Sequence, residues 1–460
     1  MPVSRLKQII RARLGARGGV VHSVGTLVGG TAFAQALTVL ALPLLTRLYT
    51  PAEFSVLAVY AAVLGIFVVV ACLRLEIAIP LPETDEEAAS LLVMSLLSGL
   101  TMSMVLGLVI ALSDARLLEW LHVEEIGPYI WLVPVGVALA GAYSAFQYWS
   151  TRQKKFPKLA RTRMTQALGG VGVQLGAGFA GFGPIGLLAG HAVSGGAGVL
   201  GLAHDAWKND RHVISGVSLH SMRSALRRYS RFPKYSTWEG LANTAGIQVP
   251  VILIAAWAVG PEAGYLLLAT RLMAAPMALI GGSVAQVYLS HAPEEMRAGR
   301  LTAFTTKILS GLIRTGVGPL IFAGLVAAPV AGIVFGTEWR RAGELVAWMT
   351  PWFIFQFLSS PVSMVMHVAG EQRKMLALTI AGFLFRITAL TGAYLFLKGS
   401  LAEVYALSGA VFYGICAVIF YGVASVSWVE FVGALKSNLL VLLAWCGAGI
   451  AVASICRIYL

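Results

Sequence analysis

Four arginines, Arg74, Arg271, Arg314 and Arg386, fall inside apolar runs long enough to cross a bilayer. A span-centre arginine costs about 2.5–3.5 kcal/mol on insertion scales and is tolerated where it faces a wet cavity or a partner. At a rise of about 1.5 Å per residue, Arg271 lies about 14 Å from one end of its run and Arg386 about 18 Å from an end of its own. Arg314 is about 20 Å into a longer run; Arg74 is only about 9 Å from an end, within snorkelling reach. Of the 21 Asp and Glu residues, only Glu76 is well inside a run, and two residues from Arg74 it does not share that arginine's helix face. A cationic, carboxylate-poor interior suits an anionic ligand. A diphosphate is well matched, because guanidinium holds phosphate oxygens through paired hydrogen bonds. The competing role for each arginine is a structural bond to a backbone carbonyl.

Uncharged polar residues accompany them. Thr31, Gln35 and Thr38 share one face of the first run, and Thr237, Thr244 and Gln248 one face of the seventh. Asn243, Gln286 and Gln356 are further cases. Each is a candidate either for an interhelical hydrogen bond or for sugar recognition. His191 and His367 read as core residues rather than proton carriers. Cys72, Cys416, Cys446 and Cys456 lie in apolar runs without a CxxC pair, so they read as small core residues rather than disulfide or metal ligands.

The elements that must position these residues follow from composition. Of 460 residues, 58% are apolar and 12% charged, against about 25% charged in soluble proteins. That excludes an ordinary cytosolic enzyme, a disordered chain and a coiled coil, and predicts an all-α polytopic membrane protein. Alternating strands of the membrane-barrel kind are absent from the pattern. Thirteen spans are expected, near 21–46, 54–80, 88–113, 128–151, 158–181, 184–206, 236–259, 262–290, 301–334, 342–370, 374–397, 402–425 and 438–458.

With the N-terminus cytoplasmic, 24 of the 34 Lys and Arg residues fall on the inner side, 6 on the outer side and 4 inside spans. The positive-inside rule thus accounts for the net charge of +13 without a nucleic-acid partner. The tally counts Arg152 to Arg163 as a basic loop after the fourth span. In the connection 207–235, Leu219, Met222, Leu226 and Tyr229 recur at helical spacing while Arg223, Arg227, Arg228 and Arg231 fall elsewhere. This predicts an amphipathic helix on the inner leaflet, with anionic lipids as its partner.

The same connection divides two weakly similar halves. TPAEFSVLAVY at 50–60 parallels GPEAGYLLLAT at 260–270, and Gln153-Lys154-Lys155 parallels Gln372-Arg373-Lys374. Pro134 and Pro351 precede these at similar distances, and Thr31/Gln35 parallels Thr244/Gln248. Six spans is an even number, so both copies share one orientation, related by an axis along the membrane normal. The expected organisation is a basic cytoplasmic tail 1–20, an N-lobe 21–206, the amphipathic connector 207–235, a C-lobe 236–425 and an extra span within 426–460. The lobes would enclose a central cavity.

Several segments resemble bacterial polysaccharide-biosynthesis translocases, the Wzx-type O-antigen and lipid-linked oligosaccharide flippases. These belong to the multidrug/oligosaccharidyl-lipid/polysaccharide exporter superfamily. The segments are TRLYTPAEFSVLAVY (46–60), RLEIAIPLPETDEEAASLL (74–92), AGYLLLATRLMAAPMALIGGSVAQV (263–287) and PWFIFQFLSSPVSMVMHVAGEQRK (351–374). The resemblance implies a polyprenyl-diphosphate-oligosaccharide substrate, carried from the inner to the outer leaflet of the bacterial inner membrane by alternating access. It also implies partnership with other polysaccharide-assembly proteins. Family members have twelve or fourteen spans, against the thirteen expected here. Joined to the residue pattern, it makes Arg271, Arg386, Arg74, Gln35, Thr31, Gln248 and Asn243 the candidate substrate-binding residues, with no catalytic residue, metal or cofactor.

Other readings fit less well. Gly176-x-Gly178-x-x-Gly181 and Gly181-x-Gly183-x-x-Gly186 match a nucleotide fingerprint but follow no strand; they read as sites of close helix packing. No GxxxxGK[ST], HExxH or GxSxG occurs. A cation-coupled drug exporter of the same superfamily would use membrane carboxylates, which are scarce. A major-facilitator carrier would have a basic loop between spans 2 and 3, where this chain has Pro82-Glu83-Thr84-Asp85-Glu86-Glu87. A membrane glycosyltransferase or polymerase would need a larger outer loop than 114–127.

Overall fold

The structure, a computed structural model, describes residues 26, 29–113, 124–397 and 399–459. The tail 1–20, Arg116, Lys398 and the side chains of Gln286 and Arg457 lie outside the described residues. Among those described there is no strand.

Helix α1 (Gly29–Leu48) turns directly into α2 (Pro51–Ala71). Thr50 caps α2: its hydroxyl accepts from the Glu53 amide while the Glu53 carboxylate accepts from the Thr50 amide at 2.7 Å, and Pro51 supplies the preset first turn. The end of α2 is abrupt. Leu73 and Arg74 are left-handed, with φ of 52° and 58°, and a short turn, Leu75–Ala78, leads to α3 (Asp85–Leu112). Then follow α4 (Leu132–Arg152), α5 (Phe156–Phe179) and α6 (Pro184–Ser215). Glycines let α5 and α6 touch: a Cβ on Gly170 would strike Ser194, and one on Gly190 would strike Gln174. The helical setting of the GxGxxG glycines agrees with the packing reading.

Helix α7 (Leu219–Arg228) forms the linker, capped by Ser218. The second half comprises α8 (Phe232–Trp257), α9 (Glu262–Arg297, passing through a π-turn at Met277–Gly281), α10 (Leu301–Val334), α11 (Arg340–Ser359), α12 (Gln372–Phe396) and α13 (Leu401–Val423). Two more helices follow, α14 (Trp428–Ser437) and α15 (Leu439–Tyr459). The last packs on α10, where Trp445 fills the space above Gly318 and stacks edge-on against Phe322 at 5.7 Å.

Nine of the described helices are long and apolar enough to cross a membrane: α1, α2, α3, α6, α8, α10, α12, α13 and α15. Helix α11 makes a tenth with Val362–Val368, which bends away by 43°. The other three expected spans, α4, α5 and α9, are helices too; α5 carries Lys158, Arg161 and Arg163, and α4 ends in Gln147 to Arg152.

Two placements differ from the sequence reading. Arg163 lies two turns inside α5, not in a loop, because α5 begins at Phe156. The connection after the sixth span is largely helical, since α6 continues to Ser215 before the turn into α7.

The two halves form two bundles. The second has its core around Met273, Leu309, Leu345, Phe357 and Tyr405; the first around Leu42, Leu57, Val133 and Leu187. At the first bundle's linker end, Lys155 bonds Asp205 at 2.8 Å and Asp210 at 3.5 Å, and Lys158 bonds Asp205 at 2.6 Å. Burial opposes the Lys155 charge, but these carboxylates outweigh it and hold the ammonium above the ordinary lysine value. At the opposite end of the second bundle, Arg341 ties Glu262, Glu344 and Glu403 together, joining the starts of α9, α11 and α13.

Candidate functional site

The bundles meet along α2. Near Trp339 helix-end carbonyls, which lack intrahelical partners, are satisfied across the seam, beside a cleft of about 390 Å³ lined by Ala52, Ser55, Val59, Ala255 and Pro261. The indole Nε1 of Trp339 donates to the Thr46 carbonyl at 3.0 Å, and Arg47 donates to the Ile333 carbonyl at the end of α10 at 2.8 Å. The Gly264 amide donates to Ser55 Oγ at 2.9 Å, Phe54 packs on Trp339 with ring centroids 4.7 Å apart, and a Cβ on Gly264 would strike the Pro51 carbonyl. Further along, Gly65 of α2 receives the Gln248 amide, whose Nε2 is 3.1 Å from where a Cβ would stand. At the linker end, Arg74 lies against Gly240, its Nε and Nη2 each 3.0 Å from such a Cβ. There α2 packs on α8, and the turn Leu75–Ala78 touches Phe232–Ser236.

Arg271 stands on α9 seven residues beyond Gly264, about 10 Å below the Trp339 end of the seam. It is half-buried. Among the described residues it has neither a hydrogen bond nor an ion pair, whereas Arg47, Arg152, Arg163, Arg228, Arg300, Arg341 and Arg386 each have at least one; Arg74, at the linker end of the seam, shares this state, its buried Nε lacking an acceptor. It lies within electrostatic range of His191 on α6 of the first bundle, and the edge of the His191 ring meets Tyr60 at 6.0 Å between centroids. Six residues after Arg271 the π-turn of α9 begins, a feature frequent at functional sites. Arg271 is thus an unpaired guanidinium at the seam, with the His191 imidazole of the first bundle within range of its charge. Such a pair can donate hydrogen bonds to an anionic group.

The other candidates divide between two clefts, one inside each bundle. In the first bundle a cleft of about 330 Å³ is lined by Thr31, Gln35, Thr38, Arg163, Gln166 and Ser194. Arg163 donates to Thr31 Oγ1 at 2.7 Å. In the second bundle a cleft of about 280 Å³ includes Asn243, Ser360, Ser363, Thr379, Arg386 and Tyr413. Both clefts sit between the first, fifth and sixth spans of their halves, and the second is also lined by Ser360 and Ser363 after α11. Gln248 and Arg74 belong to the seam instead, and neither cleft includes Arg271. Arg314 is exposed in a π-turn of α10. Among the described residues no group of three or more His, Cys, Asp or Glu side chains could hold a metal.

Sequence reasoning missed Arg163 and the juxtaposition of His191 with Arg271. A signal for the second existed: each lies seven to nine residues into a helix that starts from the Trp339 end.

The profile of a family described as "Polysaccharide biosynthesis protein" matches residues 44–344. No curated protein sequence matches the chain. Among solved structures, one described as the lipid II flippase MurJ in an inward closed conformation is similar with a TM-score of 0.69 at 12% identity, covering 94% of this chain and 97% of that one. An inward-facing multidrug resistance MATE family transporter of the MOP superfamily gives 0.57 at 16% identity, covering 90% and 96%. A MOP superfamily transporter from Pyrococcus furiosus, whose title notes a binding pocket of reverse polarity, gives 0.54 at 16% identity, covering 88% and 95%. At these identities the likeness is one of fold.

Proposed function

The chain belongs to the polysaccharide biosynthesis protein family, and from that premise we propose that it is a flippase for a lipid-linked oligosaccharide. It carries a polyprenyl-diphosphate-linked repeat unit from the inner to the outer leaflet of the cytoplasmic membrane by alternating access, and it catalyses no bond change. The observation that carries this reading is Arg271: half-buried, unpaired, at the seam between the bundles and within electrostatic range of His191. A diphosphate supplies the acceptors that this guanidinium lacks, and the polar groups along the bundles supply donors and acceptors for sugars. With the N-terminus and linker cytoplasmic, the orientation that the distribution of basic residues favours, the Trp339 end faces outward. The conformation is then one closed to the outside.

The runner-up is a cation-coupled drug exporter, favoured by the MATE fold relatives. It is disfavoured because Glu76 is the one carboxylate well inside the expected spans and because it lies at the linker end of α2, away from Arg271. Deleting the gene tests the choice. Accumulation of a lipid-linked glycan on the inner leaflet, relieved by the wild-type copy, is the expected result. Normal glycan export together with hypersensitivity to cationic drugs would move the protein to the exporter reading.

A further inference from the structure

Arg386 is 5% exposed, yet only one of its nitrogens is satisfied. Nη1 donates to the Gly246 carbonyl at 3.2 Å. That acceptor is available because Pro250, four residues on, has no N–H to give it. Three rings close around the guanidinium carbon, Phe412 at 4.7 Å, Trp352 at 5.5 Å and Tyr413 at 5.6 Å. Nε and Nη2 remain without any acceptor, as does the indole Nε1 of Trp352. Aromatic faces soften the cost of a buried cation but accept no hydrogen bond in the guanidinium plane. The adjoining cleft of about 280 Å³ is lined by Ser360, Ser363, Thr379, Tyr413 and Asn243, with no carboxylate among its lining residues; the Ser363 and Thr379 hydroxyls donate to the Ser360 and Met375 carbonyls, which leaves Ser360, Tyr413 and the Asn243 amide as the neutral donors. The corresponding cleft of the first bundle differs, since Arg163 there is bonded to Thr31.

A buried, charged donor set with hydroxyl and amide neighbours and no internal counter-charge is what a small anion requires. We propose that the second-bundle cleft is a small-anion site, of halide size with accompanying water, in which Arg386 is the charged ligand. The site is separate from Arg271 and does not depend on which substrate the protein carries. Its anion neutralises the interior of the second bundle.

Full-length protein purified in detergent tests this by thermal unfolding in sodium chloride or bromide against sodium gluconate at equal ionic strength. Saturable stabilisation by both halides, of roughly 2–4 °C, is expected for the wild type and its loss in Arg386→Gln. A bromide anomalous-scattering peak within hydrogen-bonding distance of Arg386 in crystals of the wild type is the second expected result, and it stands even where Arg386→Gln fails to fold. Equal stability in halide and gluconate, a halide gain that survives in Arg386→Gln, or a bromide peak only at Arg271 would overturn the site. Displacement of bromide from Arg386 by a polyprenyl diphosphate would also overturn it, by assigning Arg386 to the substrate cavity.

Discussion

A guanidinium inside a membrane helix needs acceptors, and the four in this chain meet that need differently. Arg386 takes the carbonyl freed by Pro250 and three aromatic faces. Arg74 sits at the left-handed break after α2 and leans on Gly240. Arg314 is exposed in a π-turn. Arg271 has no protein partner among the described residues and stands at the seam between the bundles. Arg271→Ala is therefore expected to reduce glycan export at least tenfold at normal expression, since charge-assisted hydrogen bonds contribute about 1.5–3 kcal/mol each. Arg271→Lys should retain part of the activity, and Arg314→Ala most of it. Complementation of a deletion strain, with membrane levels of each variant measured, checks this; full export by Arg271→Ala would remove the residue from the site. The position of Arg271 and Arg386 along their helices was legible from residue counting, because rise per residue is fixed. Their surroundings were not. The rings around Arg386 come from α11 and α13, and His191 comes from the other bundle, so no periodicity within one helix reveals either.

Among the elements, α2 carries the contact between bundles, and its capping box and Pro51 set where that contact begins. Gly264 permits it, since any side chain there would collide with the Pro51 carbonyl. Gly264→Val is expected to wedge the Trp339 end apart. In a cysteine-free background, Ser55→Cys should then label several-fold faster with an impermeant thiol reagent applied from outside; unchanged labelling would mean that the seam is not closed there. Helix α7 is the second informative element. Ser221 bonds Ser90 at 3.0 Å and Arg228 pairs with Glu87 at 3.1 Å, fixing it to α3, while Leu219 is 85% exposed and Leu226 41%. Its apolar spacing was legible in the sequence, but the row divides: Met222 and Tyr229 pack on the first bundle, and only Leu219 and Leu226 face outward. Its extent, Leu219–Arg228, also matches the spacing, whereas the continuation of α6 to Ser215 did not show in it. Such a helix, with Arg223 and Arg227 exposed, fits an anionic leaflet. Phosphatidylglycerol in mixed micelles should raise the melting temperature of the wild type and do so less for the double variant Arg223→Glu, Arg227→Glu; equal gains would leave α7 a plain connector.

At the scale of the whole molecule, the halves repeat in order and the two clefts occupy equivalent places. The matched residues have nonetheless diverged. Gln35 lines its own bundle's cleft, whereas Gln248 reaches across to Gly65. Weak repeat signals identified the architecture because spans and turns recur even where side-chain roles change. They could not identify the seam, which joins α2 to the second half in a way that neither half encodes alone. Orientation rests on charge: a Ser215→Cys variant should resist impermeant thiol reagents in intact cells, and ready labelling would invert the topology and the sense of transport.

The central claim is that Arg271, at the seam between the bundles, binds an anion. Low effective dielectric makes each fixed charge act strongly there, and a ligand stabilises a state only to the extent that it prefers it. Thermal unfolding of purified protein with a polyprenyl diphosphate, and separately with a quaternary-ammonium drug, measures this most directly. The account predicts stabilisation by the diphosphate, little by the drug, and loss of the diphosphate effect in Arg271→Ala. Stabilisation by the drug instead, undiminished in that variant, would contradict it.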